Sequence, residues 1–86
     1  MMTLPEILGA NVTRLVQARA DSVGTKLRYL WSELAREGWP DDSGSTNRAK
    51  WIKRVARGEC WPDPANLGTL ARVLGVEAWE LLRSAA

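Results

Sequence analysis

The chain has 86 residues, 45% of them apolar, which predicts one small domain with a modest core. It has no histidine and one cysteine, Cys60, which excludes an internal disulfide, the usual zinc clusters and histidine-based catalysis. The formal net charge is only +2, but it is unevenly placed: Met1 to Ser45 holds five basic and six acidic residues, Thr46 to Gly58 five basic and no acidic, and the remainder two basic and four acidic.

No stretch approaches the roughly 18 to 20 apolar residues that span a bilayer, so no membrane segment is predicted. The start, Met1-Met2-Thr3-Leu4-Pro5-Glu6, has neither a basic segment nor a long apolar run. A signal peptide is therefore not expected, and a cytoplasmic protein is.

Helical spacing runs through the whole chain, with no strand-like alternation. A first helix is predicted from about Pro5 to Ala20, with Leu8, Val12, Leu15 and Val16 as its apolar stripe and Ile7 beside it. Asp21-Ser22-Val23-Gly24 breaks that pattern. A second helix is predicted from Thr25 to Glu37, with Thr25 as N-cap and Leu27, Leu30, Trp31 and Leu34 at i, i+3, i+4 and i+7. Gly38 reads as its stop and Pro40 forbids continuation. Trp39 to Ser45 is a loop by composition.

Ser45 or Thr46 is expected to cap a third helix that ends at Arg57, with Gly58 as its stop. Its apolar residues Ala49, Ile52, Val55 and Ala56 form one stripe, and the other face carries Asn47, Arg48, Lys50, Trp51, Lys53, Arg54 and Arg57. Exposed helices usually mix signs to gain i,i+4 pairs, so five cations without an acid read as an electrostatic footprint for phosphates. Asp63-Pro64 opens a fourth helix, with Leu67, Leu70, Ala71 and Leu74 facing inward and Gly75 as its stop. A short fifth helix is expected from Val76 to about Arg83, with Ala78, Leu81 and Leu82 in the core.

Several residues carry a resemblance. Arg57-Gly58-Glu59, Pro62, Leu67, Leu70-Ala71, Leu74-Gly75-Val76 and Glu80-Leu81-Leu82 stand at the spacing seen in helix-turn-helix domains of the lambda-repressor and Cro (XRE-like) type. Glu33-Leu34-Ala35 is similar to the Glu-Leu-Ala of that family's second helix. The match covers roughly Ile52 to Leu82. The connection from Gly38 to Ser45 departs from it, since the motif joins its two helices by about four residues. The resemblance implies an all-α, five-helix fold with the third helix in the DNA major groove.

With Ile52 set as the family's buried residue, the base-reading positions fall on Ala49, Lys50 and Arg54, with Asn47 and Arg48 one turn earlier. Arginine or lysine can bond guanine O6 and N7, and asparagine can pair with adenine N6 and N7. Arg28, Lys53 and Arg57 are assigned to phosphates, where they position the protein without reading sequence. Trp51 points away from the core toward the DNA backbone. It either packs on Trp39 or the loop, or stacks on a sugar or a thymine methyl. Trp31 reads as core, Trp61 as a cover for the end of the third helix, and Trp79 as either core or a dimer anchor. Arg14 and Arg19 read as surface charges. Cys60 reads as a passive connection residue.

The function expected is a sequence-specific transcriptional regulator, a phage or mobile-element repressor, binding a palindromic operator on double-stranded DNA as a homodimer, with Trp79 and Leu82 at the dimer contact. It would act by occluding RNA polymerase. An enzyme is not expected, since Asp41 and Asp42 read as turn residues, and neither is a cofactor or a metal. Two alternatives stand beside it. One is a protein-interaction module of antitoxin or anti-repressor type, using Trp39, Trp51 and Trp79. The other is an excision or architectural protein that bends DNA.

Overall fold

A computed structural model describes residues 2–41 and 45–83, with the side chains of residues 45 and 46 outside the description. Five helices follow in order: α1 (Leu4–Val23), α2 (Leu27–Gly38), α3 (Ser45–Ala56), α4 (Pro64–Leu74) and α5 (Ala78–Leu81). There is no strand among the described residues, so the domain is all-α.

Local chemistry sets most of the boundaries. Thr3 caps α1: its hydroxyl accepts from the Glu6 N–H, the Glu6 side chain reaches back to the Thr3 N–H, and Pro5 sits in the first turn. Asp63 caps α4 by accepting from the Asn66 N–H at 2.8 Å. After α1, α3 and α4 the chain turns through a glycine at positive φ (Gly24, Gly58 and Gly75). In each case the following residue donates back five positions, Thr25 to Ala20, Glu59 to Arg54 and Val76 to Ala71, which satisfies carbonyls at the helix end.

That closure explains two departures from the sequence expectation. The first helix runs past Ala20 to Val23, because Gly24 is the first residue there that enters the left-handed region at no steric cost. Thr25 is not the N-cap of α2, because its N–H is committed to ending α1. Lys26 takes the cap position, without a side-chain hydrogen bond. Elsewhere α2 ends on Gly38 itself with Trp39 as C-cap, α3 ends at Ala56, and α5 is shorter than expected at four residues. The cap expected from Ser45 or Thr46 lies outside the described residues.

The core draws on every helix: Leu8, Val12 and Val16 from α1, Leu30, Trp31 and Leu34 from α2, Ala49, Ile52 and Val55 from α3, Leu70, Ala71, Val73 and Leu74 from α4, and Leu81 from α5. Leu15, Leu27, Leu67, Ala78 and Leu82 are half-buried at its edge rather than central. The third helix packs on α1 and α2, and α5 closes against α1 and α4. Gly9 makes the α1–α3 contact possible: a Cβ there would lie 2.7 Å from the Ala56 carbonyl oxygen and 2.9 Å from that of Val55. The Thr13 hydroxyl, one turn on, donates to the same Ala56 carbonyl at 3.2 Å. Both contacts fix the C-terminal end of α3.

Among the described residues one buried side chain is polar. Asn11 is 2% exposed, and its amide donates to the carbonyls of Leu81 at 2.8 Å and Arg83 at 2.9 Å. It thereby accepts the task of satisfying orphan carbonyls at the end of α5, which is too short to satisfy its own.

Candidate nucleic-acid interface

Packing of Ala49, Ile52 and Val55 into the core turns the opposite side of α3 outward. Asn47, Lys50, Arg54 and Arg57 are all exposed, and their spacing of three, four and three residues places them along one line of the helix and the turn that follows. Lys53 is half-buried beside that line. Among the described residues no carboxylate pairs with Lys50, Lys53 or Arg54, so their field is not cancelled locally. Arg57 lies 3.8 Å from Glu59, with both side chains more than half exposed, a pair that water largely screens.

Ala49 does not belong with this set. It is 5% exposed and packs in the core stripe, so its methyl is turned away from any groove α3 could enter. Ile52 is buried and Lys50 and Arg54 are exposed, as the register required, so Ala49 alone departs from it, and the exposed positions are Asn47, Lys50 and Arg54.

Arg48 and Trp51 sit at the flank rather than on the line. Trp51 meets Trp39 edge-on, with ring centroids 5.6 Å apart and planes at 77°. Both rings are half-buried, so of the two expectations for Trp51, packing on Trp39 is the arrangement found. The Arg48 guanidinium lies 4.8 Å from the Trp39 ring centroid and 5.0 Å from that of Trp51. The Trp39 indole N–H donates to Asn66 Oδ1 of α4 at 3.0 Å. Sequence reasoning missed Asn66, whose only local signal was a polar residue in the first turn of a capped helix.

Arg28 is exposed in the first turn of α2, where no acidic residue stands. Its guanidinium lies over the Tyr29 ring at 4.9 Å and donates to the Tyr29 hydroxyl at 3.2 Å. Of the other predicted surface charges, Arg19 pairs with Glu37 at 3.8 Å, and Arg14 donates to Asn11 Oδ1 at 3.4 Å. Trp31 is core, whereas Trp61 and Trp79 are 47% and 58% exposed. Trp79 has Arg83 over its ring at 5.9 Å.

Among the described residues no group of three or more His, Cys, Asp or Glu side chains could hold a metal ion, and no helix is long and apolar enough to cross a membrane. The chain therefore defines an all-α five-helix domain with one concentrated, outward-facing basic helix. No family model matches it, and no curated protein or solved structure matches it either.

Proposed function

We propose that the protein is a sequence-specific DNA-binding regulator that places α3 in the major groove. The observation that carries this reading is the exposed line Asn47–Lys50–Arg54–Arg57 on a helix without acids, whose cations Lys50 and Arg54 have no carboxylate partner among the described residues. Such a line offers groups suited to guanine and adenine edges on a cationic background suited to phosphates. Lys53, Arg57 and Arg28 are the phosphate contacts, with Arg28 helped by the positive end of α2. The resemblance of Ile52 to Leu82 to lambda-repressor and Cro-type domains supports the same reading. Action as a homodimer on a palindromic operator follows from the small size of one module, since paired half-sites multiply its specificity. The exposed Trp79 and half-buried Leu82 support α5 as the dimer contact.

The protein-partner alternative is weakened by packing. Of Trp39, Trp51 and Trp79, the first two are turned onto each other and half-buried, and Trp79 is the one of the three that is exposed.

Selection from a random DNA library at two salt concentrations separates the readings. The expected result is a palindromic motif whose retention drops sharply at higher salt. Salt-sensitive binding without a motif would indicate a DNA-bending architectural role. Absence of binding at both salts would move the function to a protein partner. On the selected operator, Arg54→Ala is expected to cost about 1–3 kcal/mol and to relax preference at one base position, whereas Lys53→Ala weakens all sequences alike. If neither variant alters binding, the register assigned to α3 is wrong.

A further inference from the structure

Between α1 and the chain around α5 lies a cavity of about 370 Å³, lined by Asn11, Arg14, Leu15, Val76, Glu80 and Arg83. That volume stands near the lower end of the range for ligand sites and suits a molecule of amino-acid size. Leu15 and Val76, both half-buried, supply its apolar part. Asn11 ties both arginines to it: its Oδ1 accepts from the Arg14 guanidinium at 3.4 Å, and its amide donates to the Arg83 carbonyl at 2.9 Å. Among the described residues Glu80 forms no ion pair with either arginine, although all three line the same cavity. Two cations and one anion therefore border a shared space without neutralising one another at contact distance.

We propose that this cavity binds a free amino acid with an apolar side chain. The α-carboxylate pairs with Arg14 and Arg83, the α-ammonium with Glu80, and the side chain lies on Leu15 and Val76. Guanidinium groups match carboxylates in charge and in the geometry of their donors. A simple carboxylic acid leaves Glu80 without a cation, and an amine leaves both arginines without an anion. A zwitterion answers all three charges, and covering Leu15 and Val76 adds apolar burial. Asn11 holds Arg14 and the Arg83 backbone in place and is a positioning residue. The bound ligand bridges α1 and the end of α5, which Asn11 already joins. This site is independent of the DNA reading of α3, since none of its residues lies on that helix.

The test is an NMR titration of the labelled full chain with L-valine, L-leucine, L-methionine and L-phenylalanine, each compared with its N-acetyl derivative and its carboxamide. Saturable binding of at least one of the four is expected, with shifts centred on Leu15, Val76 and the Asn11 side-chain amide. The melting temperature rises with the concentration of that amino acid. The N-acetyl derivative lacks the ammonium and the carboxamide lacks the carboxylate, so each binds at least about tenfold more weakly. Variants are first shown to be folded by circular dichroism. Arg14→Gln and Arg83→Gln reduce the preference for the amino acid over its carboxamide, and Glu80→Gln reduces the preference over its N-acetyl derivative. Absence of a saturable shift with all four amino acids overturns the site. Blocked derivatives that bind as well as the amino acid overturn the ligand class. Variants that all bind as wild type does, or shifts centred away from Leu15 and Val76, overturn the assignment to this cavity.

Discussion

Asn11 shows how much one side chain can carry in a domain this small. Its amide spans from α1 to the end of α5 and supplies hydrogen bonds that four helical residues cannot supply to one another. Asn11→Ala leaves those carbonyls buried without donors, and it is expected to lower stability by about 1–3 kcal/mol, read as a lower urea midpoint at an unchanged slope. Asn11→Asp should cost more, because it places an acceptor where donors are required. Midpoints equal to wild type for both variants would mean that these contacts contribute nothing. Part of this was visible in the sequence, since Asn11 falls between Leu8, Val12 and Leu15 on the apolar stripe of α1. Its partner was not visible, because nothing near Asn11 points to residues so distant along the chain.

Helices whose ends are written in a few adjacent residues were legible. Asp63, Pro64 and Gly75 fixed α4 at both ends, and the third helix was off by a single residue at its C-terminus. The join of α1 to α2 was misread because Thr25 is a good N-cap by type but serves the preceding helix. The apolar stripes marked which face of each helix is buried, but a close approach of two backbones left no periodic trace. Gly9 reads as an unremarkable residue in a helix until α3 is packed against it. Gly9→Ala is expected to cost at least about 1–3 kcal/mol, because the atoms in its way are backbone carbonyls that cannot step aside. Gly68→Ala, also within a helix but with nothing within 4 Å of its added methyl, is expected to stabilise by about 0.5–1 kcal/mol. Thermal melts of the pair should therefore shift in opposite directions. At the candidate interface the cationic face was legible from composition and spacing. The Trp39–Asn66 hydrogen bond at its flank was not, although the Trp51–Trp39 contact stood among the alternatives, because Asn66 enters from another helix.

Charge acts over the assembled particle rather than at one position. The fold measures 36 × 28 × 21 Å, several times the Debye length at physiological salt, so only charges near the basic face can cancel its field. A dimer that uses Arg28, Lys53 and Arg57 from each protomer would neutralise about six phosphates, which gives a slope of about −5 for log K against log salt. Titration of operator affinity between low and physiological salt checks this. A slope near zero would be incompatible with backbone contacts from these residues.

The bond from Asn11 to Leu81 also has a temporal meaning. The two residues are 70 positions apart, and at about 5–20 residues per second their synthesis is separated by roughly 4 to 14 seconds. Until residue 81 is joined, the Asn11 amide has no Leu81 carbonyl to meet and the contact of α1 with α5 cannot form. The domain therefore closes late, when α5 arrives. A chain cut off before residue 78 would lack that carbonyl, and its α1 would stay open to proteases and chaperones.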